Sequence, residues 1–113
     1  MNKQLKVAEL QALSSVPTVA VFDLASLARS TMDDVALQSE VIALFIDQLA
    51  KLEGADWKKL DLNFEMHALR GAAAAIGAMQ IEMICAQWEK LGVRLEGEMK
   101  QAIAAFCSAA AKH

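Results

Sequence analysis

The chain has 113 residues, a length that supports one hydrophobic core and is too short for two. Its net charge of -3, without any cluster of lysines and arginines, excludes a phosphate-backbone binder, so no nucleic-acid partner is expected. Apolar residues make up 56 %, with few aromatics and much alanine, leucine and methionine, which points to helices; no run alternates as a half-buried strand does. No uninterrupted apolar stretch reaches the roughly 18 residues a membrane span needs, and the first residues do not lead into a signal-peptide core. A cytoplasmic location, without direct membrane insertion, is therefore expected.

In chain order, residues 3 to 14 suit a short helix ended by Ser14, Ser15 and Pro17, the only proline. Residues 1–20 read as an N-terminal helical lead-in to a bundle over 21–113. A second short helix is predicted around Asp23 to Arg29, with Asp23 as its cap. Thr31 and Asp33 offer caps for a long helix to about Leu52, on which Val35, Ile42, Phe45, Leu49 and Leu52 recur at three- and four-residue steps. Gly54 is predicted to break it. Asp56 or Asp61 caps the next helix, which carries His67 and ends at Gly77. A helix from about Met79 to Leu91 presents Met83, Ile84, Trp88 and Leu91 and stops at Gly92. The last runs from about Glu96 to Ala111, burying Met99, Ile103 and Phe106, with Cys107 at the margin. Short links favour antiparallel neighbours. The expected architecture is an all-α, up-down-up-down four-helix bundle with additional short N-terminal helices.

Cys85 and Cys107 are far apart, lie on apolar helical stretches and lack Cys-x-x-Cys spacing, so both are expected to be reduced, buried small hydrophobes. No His-x-x-x-His or Glu-x-x-His occurs, and no resident metal or cofactor is expected; a haem or di-metal bundle is the rival this spacing disfavours.

On the His67 helix, a step of about 100° per residue puts Leu62, Met66, Leu69, Ala73 and Ile76 on one core-facing stripe. His67 lies about 160° from Leu69 and should project away from the core. Ala68, Gly71 and Ala74 leave room for a partner beside it, and Leu60 with Phe64 adds apolar contact. Histidine offers a neutral, nucleophilic imidazole near neutral pH. Arg70, on the same flank, supplies a planar cation suited to phosphoryl oxygens. Taken singly, each has a plainer reading: a surface histidine without a role, a solvated arginine, an alanine run that simply makes a good helix.

The string His67-Ala68-Leu69-Arg70-Gly71-Ala72-Ala73-Ala74-Ala75-Ile76-Gly77 resembles the pattern His-x-Leu-Lys/Arg-Gly-small-small-x-x-hydrophobic-Gly of histidine-containing phosphotransfer (HPt) domains. The likeness spans about residues 22 to 111, with Val41 to Leu49, Asp56-Trp57, Cys85 and Leu91-Gly92 falling in step. It implies that His67 accepts a phosphoryl group from a receiver-domain aspartate and passes it to another, that Arg70 stabilises that group, and that Gly71 lets the partner approach. The implied partners are response-regulator receiver domains, which would supply Mg²⁺, and a hybrid sensor kinase of which the chain could be an excised domain; a monomer without ATP binding or autokinase activity is implied. Arg70 stands where lysine is commoner, Ala72 and Ala73 where many relatives have serines, and two extra residues separate Trp57 from His67. Glu89 falls where relatives often place a glutamine near the imidazole; either it holds a ring N–H or it is a solvated helix glutamate. The competing function is an adaptor of the same shape that docks receivers or other helices without being phosphorylated.

Overall fold

The computed structural model describes residues 19–92 and 94–113, so the helix expected over residues 3 to 14 lies outside the described residues. Five helices follow one another: α1 (Leu24–Thr31), α2 (Val35–Gly54), α3 (Leu62–Ile76), α4 (Met79–Leu91) and α5 (Glu96–Ala111), with no strand among the described residues. Helix α2 packs on α3, α3 on α4, α4 on α5 and α5 back on α2, closing a four-helix bundle; α1 lies against α2 and α3. Helices α3 and α4 share the most extensive contact, because Gly77 and Ala78 alone join them and force a hairpin.

Aspartates start three of the helices. Asp23, Asp34 and Asp61 each accept a backbone N–H of the first turn, from Ala25 (3.1 Å), Leu37 (3.1 Å) and Phe64 (3.2 Å). The Ser26 hydroxyl also donates to Asp23 (2.8 Å) and, with the backbone N–H groups of Ala25 and Ser26, holds that carboxyl below its ordinary range against the opposing effect of desolvation.

These caps correct one expectation and decide between the two candidates of another. Helix α2 is capped by Asp34 rather than Thr31 or Asp33: Met32 and Asp33 take positive φ (52° and 61°), and Thr31 turns inward, its hydroxyl donating to the Leu27 carbonyl (2.6 Å). Asp61, not Asp56, caps α3. As expected, α2 stops at Gly54. It is the last helical residue, and the helix ends where the Trp57 indole N–H takes the Leu52 carbonyl (2.7 Å).

The core runs through all five helices, from Leu27, Phe45 and Leu49 to Met66, Leu69, Ile84, Trp88, Met99 and Phe106. Phe106 sits at one end, edge-on to Phe45 (5.3 Å) and tilted against Phe22 (5.2 Å), while Trp57 and Trp88 pack at 5.7 Å. Some stripe members fall short of it. Val35 is 71 % and Leu91 52 % exposed, since each lies in a terminal turn beyond its neighbours' reach, and Leu62 and Met83 are half-buried while Ile81 and Cys85 fill the interior of α4.

Both cysteines are free thiols; Cys85 is fully buried with its Sγ 3.9 Å from Met66 Sδ, whereas Cys107 is half-buried, less enclosed than expected. Burial, with a smaller push from the Glu89 charge, raises the Cys85 thiol from 9.0 to about 12. Because the unfolded chain releases this proton first, Cys85 contributes stability that is intact below pH 9 and is lost as pH rises toward 12. In the native protein at pH 8 a maleimide is expected to modify Cys107 first and to reach Cys85 only on unfolding. Mass spectrometry of the alkylated peptides checks the order, and equal native rates would contradict the packing.

Candidate functional site

The rotation of α3 about its own axis creates the site. Met66, Leu69, Ala73 and Ile76 turn into the core, which leaves His67, one residue beyond Met66, on the outer face with 68 % of its side chain in solvent. Phe64 (65 % exposed), Ala68 and Gly71 share that face. A Cβ on Gly71 would meet nothing within 4 Å, so the space before the imidazole is open. Ala74 and Leu60 are half-buried; Leu60 packs at the margin of the core.

Helix α4 supplies the carboxylate. Glu89 Oε2 lies 3.1 Å from His67 Nδ1, and Glu89 Oε1 lies 3.4 Å from Arg70 Nε. An ionised carboxylate has only lone pairs to offer, so Nδ1 carries the ring hydrogen and donates it. In the neutral ring that arrangement leaves the lone pair on Nε2. The helix-to-helix spacing brings His67, Arg70 and Glu89 together as one cluster, and the solvated reading of Glu89 is replaced by a 23 % exposed side chain engaged on both oxygens.

Such a triad, an exposed imidazole held by one nitrogen with a guanidinium alongside and open space at Gly71, is suited to receiving and releasing a small anionic group. The model of the Hpt domain family matches residues 23–112. The chain belongs to the Hpt domain family. No curated protein and no solved structure matches it. Hpt domains are phosphotransfer carriers of phosphorelays and have no catalytic activity of their own, which gives this chain its broad role in two-component signalling and makes receiver domains its class of partner.

Two features of this Hpt domain escaped the sequence reading. One is the contact of Arg70 with Glu89. The other is the share of α2 in the surface next to the histidine-bearing helix: Leu44, 69 % exposed, and Gln48 line both of two grooves between α2 and α3, of about 460 and 260 Å³, whose α3 walls include Leu69, Ala72 and Ala75. Leu44 stands off the core stripe of α2, and that misplaced leucine is the signal a sequence reading could have used. Among the described residues no cluster of three or more His, Cys, Asp or Glu side chains could hold a metal ion, and no helix is long and apolar enough to cross a membrane.

Proposed function

We propose that His67 Nε2 accepts a phosphoryl group from the aspartyl phosphate of one receiver domain and passes it to the aspartate of another. The Nε2 lone pair forms the N–P bond as the aspartyl O–P bond breaks, and the carboxylate leaves with the bonding electrons. The ring keeps its Nδ1–H throughout, donated to Glu89, so the imidazole departs in the second transfer without a proton shuttle. Arg70 pairs with phosphoryl oxygens, Mg²⁺ belongs to the receiver, and Phe64, Ala68, Ala74 and Leu60, with Leu44 added from α2, form the docking surface. A cytoplasmic setting, alone or as part of a hybrid sensor kinase, suits such a carrier, and one copy suffices for it.

The observation that carries this reading is the exposed imidazole fixed through Nδ1. Incubation with a phosphorylated receiver domain is expected to place acid-labile, base-stable phosphate on the chain; absence of label from every receiver offered would overturn it. Gly71 tests the docking. The Cβ of a glutamine there meets no neighbour and the residue replaces a poor helix former, so stability is expected to hold or to rise by up to about 1 kcal/mol. Its side chain occupies the clearing before His67. Gly71→Gln is therefore expected to slow receiver-dependent labelling by at least about tenfold, the equivalent of 1.4 kcal/mol in the transition state; an unchanged rate would show that partners approach elsewhere.

A further inference from the structure

Glu89 grips the nucleophile with one oxygen and the cation with the other. Its Oε1 is shut off from solvent and has no aligned hydrogen bond among the described residues, so the charge of Arg70, 3.4 Å away, is what compensates it. Contact is made through Nε. A guanidinium approached on that side keeps both terminal amino groups for a second anion, whereas an ammonium has a single nitrogen on a flexible stem.

From this geometry we infer that Arg70 and Glu89 are a matched pair: Glu89 is a positioning residue that tethers Arg70 through Nε, so that its terminal N–H groups face the phosphoryl group arriving on His67. The inference rests on the proposed role of His67. A phosphoryl group brings about two negative charges next to the existing carboxylate, and Arg70 stands where it can serve both. Lysine at position 70 has to choose. Drawn to the phosphoryl oxygens, it abandons a buried, charged Oε1; held by Glu89, it leaves the phosphoryl group uncompensated. Glutamine at position 89 removes that conflict, since its amide oxygen still accepts the Nδ1 hydrogen while its charge is gone.

The effect of Glu89→Gln must therefore change sign with the residue at position 70. Wild type, Arg70→Lys, Glu89→Gln and the double variant are labelled with phosphoramidate, a small phosphoryl donor, and with a phosphorylated receiver. Arg70→Lys is expected to slow labelling about tenfold and Glu89→Gln a few-fold, yet adding Glu89→Gln to Arg70→Lys is expected to restore most of the lost rate, a coupling of the size that residues in contact show. Equal effects of Glu89→Gln in both backgrounds would overturn the pairing. Nitrogen-15 NMR of the unphosphorylated protein gives a second decision. His67 is expected as the Nδ1–H tautomer in wild type and in Glu89→Gln, and the Arg70 Nε resonance is expected to shift between wild type and Glu89→Gln; an unaltered Nε resonance would overturn the tether. Failure of the wild type to take label from either donor would instead strike the role of His67, with the NMR result still deciding the tether.

Discussion

His67→Gln is expected to bring phosphoryl labelling down to background while the circular dichroism of the helices stays that of the wild type. The side chain projects from the outer face of α3 and fills no core position, so its replacement is expected to change stability by no more than about 0.5 kcal/mol. Glutamine is also at least as good a helix former as histidine. Its amide still donates to Glu89, which avoids leaving the Oε2 acceptor bare, but it offers no ring nitrogen lone pair to attack phosphorus. The other histidine is distant in role: His113, at the far end of the chain, packs edge-on to Phe22 at 5.5 Å. Labelling that persists in His67→Gln would overturn the assignment, and a phosphopeptide map would locate the true acceptor. A wild-type chain that binds phosphorylated receivers without ever being labelled would behave as the adaptor instead.

The exposure of His67 was legible because a helix with a strict apolar stripe fixes the direction of every other residue on it. Met66, Leu69, Ala73 and Ile76 went to the core, and the histidine had to face out. The same logic misplaced Val35 and Leu91, since periodicity reports which way a residue points but not whether the neighbouring helix extends far enough to cover it. Capping was ambiguous for a related reason. Thr31, Asp33 and Asp34 all offer side-chain oxygens within four residues, and the left-handed turn at Met32 and Asp33 decided among them. The Arg70 contact with Glu89 joins residues 19 apart on two helices, and its existence depends on the rotation of α4 relative to α3, a quantity set by how Ile81, Ile84, Cys85 and Trp88 pack and not written in any local spacing. Leu44 belongs to the same class: alone it is an exposed leucine, and only the approach of Ala72 and Ala75 turns it into a wall of a groove.

Gly77→Ala is expected to be the most damaging small substitution in the fold. Gly77 ends α3 at φ 91°, its N–H donating to the Ala73 carbonyl (3.0 Å) and its carbonyl accepting the Asp23 N–H (2.7 Å), so it closes the helix and ties it to the start of α1. A Cβ there would overlap the Asp23 carbonyl oxygen, which is main chain and cannot swing aside. Gly92 provides the internal comparison. It also caps a helix with positive φ (66°), but a Cβ on it meets nothing within 4 Å. Gly92→Ala is thus expected to lose only the left-handed conformational penalty of about 1–2 kcal/mol. Gly77→Ala adds to that penalty the displacement of α1 and the loss of the Asp23 bond, for a total of about 3–5 kcal/mol. At about 4 °C or more per kcal/mol for a domain of this size, its melting temperature is expected to fall by more than about 10 °C. Urea unfolding of the two variants beside the wild type reads the difference directly, and equal losses would mean that α1 yields freely at Asp23. The consequence reaches the site as well, because the Asp23 bond and the Ser30 hydroxyl, which donates to the Ala75 carbonyl (2.6 Å), both hold α1 on the C-terminal end of the helix that presents His67.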